Sequence, residues 1–479
     1  MLKKLASDGA IYGISGAFSK GAQLILLPIY TRVFSPAEYG VIDLIIVFAA
    51  LVNLTVALEI SQAVARYYGT SGLDEERKRY ASSALIFSIG AYLLFFIVAF
   101  AASGWLSEWW LGSVQWWWVL QVAAGAIALN GIYIFLLDLL RWQLKPKFFA
   151  LVSMLYTIVT VLVSLYFVLI LERGIAGVFY GQLVGAILGI TIILTYSRST
   201  YAFHFYWAEC KVMLSYSFPL VFFSIAVFVN LNVDRLAINE LMGVSDVGVY
   251  GVGFRISSVM TLLLMGVQAA LIPLIFQNYK KDSTPVELAR IIRYLFILVF
   301  GAILMLGLFS RDIVGLVAAP AYYQAAIVVP VLAFTFFFSN PYNFSPGILL
   351  AKKTKLMAAI GVCSACLNVL LNIIFIPQYG ILGAAVATLV ASLAGLSLTV
   401  YYSQIYYPIP YDWKRIGGAI LTLFLALICV KVFFSTGQWE ELWPYKFLFM
   451  LVFSVLITFT LLKKDEFLNL IYRLHLGKR

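Results

Sequence analysis

"RGIAGVFYGQLVGAILGITIILTY", residues Arg173 to Tyr196, has a second version 206 positions later, "YGILGAAVATLVASLAGLSLTVYY", Tyr379 to Tyr402. Gly174 falls on Gly380, Gly177 on Gly383, Leu183 on Leu389, Gly189 on Gly395 and Tyr196 on Tyr402. The first copy has a small residue at every fourth position, Gly177, Gly181, Gly185 and Gly189; the second matches it with Gly383, Ala387, Ala391 and Gly395. Residues four apart share a helix face, so each copy presents a flat ridge suited to close backbone packing. A dimer interface is the other use of such a ridge, but its presence in both copies favours packing inside each repeat.

Two more pairs extend the frame outward. "VFSPAEYGV" (Val33 to Val41) aligns with "LMGVSDVGV" (Leu241 to Val249) at an offset of 208, placing Glu38 on Asp246 and Gly40 on Gly248. "KPKFFA" (Lys145 to Ala150) aligns with "KTKLMA" (Lys353 to Ala358) at the same offset. The expected organisation is one bundle over 1–205, its repeat over 206–406, and an appended segment, 407–479, without a counterpart.

The solvent of these bundles follows from composition. Hydrophobic residues make up 63% of the 479 and charged residues 11%, against roughly 45–50% and about 25% in soluble domains. The chain is therefore an integral membrane protein. Apolar stretches long enough to cross about 30 Å of hydrocarbon recur at roughly 11–33, 40–66, 80–105, 116–140, 149–171, 174–196, 213–239, 246–276, 292–309, 322–350, 356–376, 380–405, 416–434 and 445–462. They are too long for barrel strands, so the fold class is all-α with about fourteen transmembrane helices. Pro330, Pro341 and Pro346 interrupt the tenth stretch. Six spans per repeat is an even number, so the copies are parallel and related by an axis along the membrane normal, with a substrate site expected between them. "MLKKLASDGA" reads as the approach to the first span and not as a cleavable signal.

Lys and Arg gather on one side of the membrane. With the N-terminus inside, inner segments carry clusters such as Arg77–Lys78–Arg79, Lys280–Lys281 and Lys463–Lys464, while outer edges hold little more than Arg32, Arg173, Arg311 and Lys446. Both termini are expected in the cytoplasm, and the net charge of +11 is largely this asymmetry. It requires no nucleic-acid partner. The loops are short and carry no phosphate-binding motif, which disfavours an enzyme such as a glycan polymerase or ligase and predicts no metal and no cofactor. Cys363 and Cys366 form a C-x-x-C within an apolar helix and read as packing residues.

Ionisable groups at membrane depth cost about 2.5–3.5 kcal/mol each on insertion scales and mark a pathway or a structural pair. They are Lys20 in the first span, Glu59 and Arg66 in the second, Asp234 and Arg235 in the seventh, and Arg255 in the eighth. Ser15, Ser19 and Gln23 give the first helix a polar stripe bordered by Lys20; Glu59, Gln62 and Arg66 share a face of the second. Such stripes are expected to face a water-filled cleft. For Arg66, Asp234 and Arg235, near helix ends, structural pairing or snorkelling remains an equal reading. A basic cleft implies an anionic passenger, since Arg presents a fork to phosphate oxygens and Lys a point charge. Tyr30, Tyr67, Tyr68, Trp142 and Tyr250 are candidates for stacking on sugars, with interfacial belts as the competing explanation.

"GAQLILLPIYTRVFSPAEYGVIDL", "QAVARYY", "SFPLVFFS", "NVDRLAIN", "DVGVYGVGFRIS" and "YGILGAAVATLVA" resemble the polysaccharide biosynthesis or oligosaccharide flippases of the multidrug, oligosaccharidyl-lipid and polysaccharide exporter superfamily. The resemblance covers nearly the whole chain. It implies two six-helix bundles arranged as a V that opens alternately to each side of a bacterial inner membrane. It also implies a passenger, a polyprenyl-pyrophosphate-linked oligosaccharide of the O-antigen, capsule or exopolysaccharide type, moved from the inner to the outer leaflet. By position, Lys20, Arg66 and Arg255 resemble the arginines that hold pyrophosphate in the related lipid II flippases; here Lys replaces Arg on the first span and Glu59 adds a nearby negative charge. Gln23 and Gln62 join them as candidate passenger contacts. Asp234 and Glu59 are candidates for coupling to H+ or Na+. The two extra spans are implied to shape a groove for the lipid tail, membrane lipid itself being a partner. The last 17 residues read as a basic surface helix or a dock for glycan polymerase or chain-length proteins. The alternative on the same fold is a multidrug and toxin extrusion antiporter, which would favour an acidic cavity.

Overall fold

The computed structural model describes residues 2–70, 73–202, 204–339, 344–433 and 443–462. The N-terminal helices are α1 (Leu2–Val33), α2 (Pro36–Thr55), α3 (Ile60–Thr70), α4 (Asp74–Ala101), α5 (Ser103–Leu111), α6 (Trp117–Trp142), α7 (Pro146–Leu165) and α8 (Ile175–Tyr196). There follow α9 (Trp207–Leu241), α10 (Val244–Ser257), α11 (Val259–Asn278), α12 (Thr284–Leu308), α13 (Ser310–Val317), α14 (Val329–Phe338), α15 (Gly347–Leu350), α16 (Thr354–Tyr406), α17 (Trp413–Phe433) and α18 (Trp443–Leu461). Among the described residues there is no β-strand.

Eleven helical stretches among the described residues are long and apolar enough to cross a membrane, or twelve if Pro320–Ile327 and Val329–Phe338, bent by 48°, form one span. Two features keep the count below the expected fourteen. The polar residues Ser15, Ser19, Lys20 and Gln23 lower the hydropathy of α1, which is not among the eleven. α16 is two helices that meet at a kink at Gly380, where the backbone is non-helical, so its 53 residues hold both the eleventh and the twelfth expected spans but are counted once. Other expected spans are broken. The stretch 40–66 divides into α2 and α3, and 322–350 into a 3-10 turn, α14 and α15, whereas 246–276 has only a one-residue irregularity at Ser258 and Val244–Gln268 still counts as one span. Pro341 and the tail 463–479, read above as a surface helix, lie outside the described residues.

By packing, the chain forms two compact units, Met1–Gly251 with Ala365–Ala384, and Val252–Ser364 with Ala385–Arg479. This division follows contacts, the 206-to-208 frame follows sequence similarity, and the two differ. In the first unit, Ser35 and Glu38 form a reciprocal capping box with Pro36 in the first turn, which fixes where α2 starts. Gly177, Gly181, Gly185 and Gly189 are buried in α8, against Val168, Ser164, Thr160 and Tyr133 respectively. That ridge packs within its own bundle. Gly383 lies against Phe375 and Ile376 as Gly177 lies against Phe167 and Val168, neighbours again 208 apart. Gly174 and Gly380 also share one backbone conformation, φ/ψ of 55/−141° and 59/−141°, a region that glycine adopts without a steric penalty.

The interior of this unit is polar in places. Ser19 and Thr157 share a hydrogen bond of 2.8 Å, Asn130 donates to the Tyr156 hydroxyl at 2.6 Å, and Tyr133 stacks on Tyr156 with centroids 4.3 Å apart. On the short α5, Trp105 and Trp109 are exposed and stack on each other, as residues of an interfacial belt do.

The second unit is built around rings. Phe296, Phe300, Phe337 and Phe344 meet in mostly edge-on contacts, a geometry favoured by the ring quadrupole. Ser257 bonds the Val329 carbonyl at 2.9 Å, joining the end of α10 to α14. At α18, Lys446 is buried and its Nζ pairs with Asp312 Oδ2 at 2.7 Å.

Candidate functional site

Two adjacent residues of α9 organise the densest polar cluster. Arg235 turns to α2, where its Nε lies 2.6 Å from Oδ2 of Asp43; both side chains are more than nine-tenths buried. Asp234 turns the other way. Its Oδ2 accepts from the Tyr250 hydroxyl at 2.7 Å, and its Oδ1 accepts from Asn372 Nδ2 at 3.0 Å and Asn368 Nδ2 at 3.5 Å. Asp234 is thus met by three side-chain donors, and Asp43 and Arg235 set opposite charges side by side, which offsets the cost of burying each. For Arg235 the structure therefore decides between the two readings in favour of pairing. Sequence reasoning missed Asp43, Asn368 and Asn372. Asp43 lies near the start of the apolar stretch 40–66, as the eighth residue of α2; the signal for the asparagines was their spacing of four on one helix face.

Glu59 sits at the break between α2 and α3. Leu58 and Glu59 both have positive φ, 50° and 53°, a conformation uncommon for residues other than glycine and worth relating to function. The Ser224 hydroxyl of α9 donates to Glu59 Oε1 at 2.6 Å. Beside it is a small cavity of about 40 Å³ lined by Asn53, Ala57, Glu59, Ile60, Ser61, Tyr92 and neighbouring residues of α6. Tyr92 donates to Asn53 Oδ1 at 3.3 Å on its wall.

The remaining predicted residues have different settings. Lys20 and Gln23 are exposed on α1, whereas Ser15 is fully buried and Ser19 bonds α7. The stripe expected to face water is thus divided: its serines are used in packing and Lys20 and Gln23 stay on the surface. Gln62 and Arg66 are exposed on α3. Arg66 lies over the Tyr216 ring at 4.5 Å and the Tyr67 ring at 5.8 Å, a cation–π arrangement. Arg255, in the second unit, is half-buried in the last turn of α10, where the negative end of the helix dipole favours a cation. It lies one turn before the irregularity at Ser258 that separates α10 from α11.

The aromatic candidates need correction. Tyr250 is fully buried and bonded to Asp234, and Tyr30 is 3% exposed, so neither offers a face to a sugar in this conformation. Tyr67 stacks on Tyr80. Cys363 and Cys366 are free thiols on an exposed face, not buried packing residues.

A family model described as "Polysaccharide biosynthesis protein" matches residues 29–326. Over 271 residues the chain is 26% identical to a Haloferax volcanii protein described as a probable low-salt glycan biosynthesis flippase, Agl15, covering 55% of this chain and 57% of that one. It is 24% identical to the probable flippase AglR of the same organism over 58% of this chain and 60% of that one. The chain thus spans little more than half the length of these relatives. Among solved structures, lipid II flippase MurJ in an inward closed conformation superposes with a TM-score of 0.75 at 16% identity, over 94% of this chain and 98% of that one. An inward-facing multidrug resistance MATE family transporter of the MOP superfamily gives 0.65 at 16% identity, over 81% and 95%. These two likenesses establish the fold.

Proposed function

Since the chain belongs to the polysaccharide biosynthesis protein family, we propose that it is a flippase carrying a polyprenyl-pyrophosphate-linked oligosaccharide from the inner to the outer leaflet of the plasma membrane. What supports this reading is the disposition of charge. Asp43 and Asp234 are buried and engaged by Arg235, Tyr250 and two asparagines, and Glu59 is bonded by Ser224. Lys20 and Arg66 are exposed, and Arg255 is half-buried within its own unit. The more accessible intramembrane charge is positive, which suits a pyrophosphate better than the cationic drugs of an antiporter.

In this reading Lys20 and Arg66, with Gln23 and Gln62, meet the head group in the N-terminal repeat (1–205), and Arg255 does so in the C-terminal repeat (206–406). The polyprenyl chain stays in lipid beside the appended segment 407–479. Both termini face the cytoplasm, and access alternates between the two sides of the membrane. Asp234 and Glu59 couple the cycle to H+ or Na+.

The test is the passenger itself. In cells depleted of the protein, lipid-linked oligosaccharide should accumulate on the cytoplasmic leaflet, and Arg255→Ala should not rescue while still inserting in the membrane. Normal export by that variant removes Arg255 from the mechanism. Absence of any accumulation, with lost resistance to cationic drugs, would replace the passenger.

A further inference from the structure

The geometry points to a site for one dehydrated monovalent cation of sodium's size at the break between α2 and α3, built on Glu59 inside the N-terminal helices. The site is read from the chain's own oxygens and assumes nothing about the passenger. Only its use in transport rests on the flippase reading.

Three independent observations converge there. The first is electrostatic. Glu59 is half-buried within an expected span, and among the described residues it makes no ion pair. The nearby acidic group, Asp138, is paired with Arg141 at 3.2 Å and so adds little charge of its own. The bond from Ser224 reaches Oε1 of Glu59. A carboxylate at this depth is stabilised by a cation, and among the described residues no ion pair supplies one.

The second is the backbone. The N–H groups of Leu58, Ile60 and Gln62 donate to the carbonyls of Thr55, Ala57 and Glu59, each three residues back. In an uninterrupted α-helix they would reach four back, so the carbonyls of Leu54, Val56 and Leu58 lose their regular donors. They come at the C-terminal, negative end of α2. Half-helix ends and unwound carbonyls of this kind coordinate sodium in membrane transporters. A proton needs only one acceptor; the Glu59 carboxylate together with the side-chain oxygens of Asn53, Ser61 and Tyr92 on the same cavity fits a metal cation better.

The third is space. The cavity beside Glu59, about 40 Å³, exceeds the roughly 10–15 Å³ that a single water requires, and sodium without its hydration shell is of similar size to a water. Asn53, Ser61 and Tyr92 give its wall side-chain oxygens. The strain at Leu58 and Glu59 gives a reason for the break: a regular helix would return those carbonyls to the ladder.

The experiment uses purified full-length protein in nanodiscs without passenger, titrated with radioactive sodium at about pH 8, where carboxylates are ionised, in a buffer otherwise free of alkali cations. Saturable binding is expected, weakened about tenfold or more by Glu59→Gln, with a Glu59-dependent component retained in Asp234→Asn. No saturable binding, equal binding by Glu59→Gln, or binding abolished by Asp234→Asn alone would each overturn the site. If Glu59→Gln does not yield a monodisperse protein, Ser61→Ala takes its place. It should weaken sodium about threefold, and an unchanged affinity would also overturn the proposal. Because bound sodium is read directly, a failure here leaves the flippase reading standing, and a wrong passenger leaves the cation site standing.

Discussion

Gly40 and Gly248, equivalent residues of the two sequence repeats, pack against each other reciprocally: the space beside Gly40 is taken by the Val244 carbonyl and the Gly248 amide, and that beside Gly248 by the Pro36 carbonyl and the Gly40 amide. Pro36 and Val244 are themselves 208 positions apart. Residue i meeting j while j meets i is the signature of a two-fold relation. One turn further on, Gly251 leaves room for the carboxylate of Asp43, its own equivalent at the same offset. At this contact the two matched segments of the 208-position frame differ by one charge.

A methyl group at either glycine would strike the partner's backbone, which cannot swing aside as a flexible side chain can. Gly40→Ala and Gly248→Ala should each lower stability by about 1–3 kcal/mol. Because they disturb one contact, the double variant should lose less than the sum of the two. Thermal unfolding of the four proteins in detergent checks this; simple additivity would dissolve the reciprocal contact.

Asp43 and Arg235 behave as a pair. Removing either leaves a buried charge uncompensated, so Asp43→Ala or Arg235→Ala should cost about 3–5 kcal/mol. The double substitution Asp43→Asn with Arg235→Gln should recover much of that loss, since no net charge stays behind. A double-mutant cycle on unfolding midpoints measures it, and a double variant as unstable as the worse single one would refute the pairing.

Tyr250 is expected to serve Asp234 and not a sugar. Tyr250→Phe keeps the ring and removes one donor to a buried carboxylate, a loss of about 1–3 kcal/mol in stability. Export should fall in proportion to the folded protein recovered. Full stability with a selective loss of glycan binding would restore the sugar-stacking role.

Lys446 ties α18 to α13 through Asp312, and the appended helices should loosen when the tie is cut. Lys446→Ala leaves Asp312 without its partner and should expose α18 to limited proteolysis, at a cost of about 3–5 kcal/mol. Lys446→Met with Asp312→Leu should restore resistance. Proteolytic mapping of single and double variants decides the matter.

What the sequence determined by itself is what is local or periodic. Long apolar runs require helices because lipid cannot satisfy backbone groups. The every-fourth glycine ridge places four small residues on one face of α8, and the 206-to-208 frame anticipates Gly174 and Gly380 sharing a backbone conformation. Lys20, Glu59, Arg66, Asp234, Arg235 and Arg255 stood out in apolar runs whatever their partners, while Asp43 did not. Tertiary structure alone decided those partners. Asp43 and Arg235 are 192 positions apart, Asp234 and Asn372 138, and no helical period relates residues on different helices. The same holds for the breaks. No proline or glycine stands within four residues of Leu58, and whether the helix breaks there depends on what packs beside it. Ser15, Lys20 and Tyr250 show the consequence: a residue's chemistry is written in the chain, but whether that chemistry is used inside a bundle or offered to a passenger depends on which neighbours the fold brings within hydrogen-bonding distance.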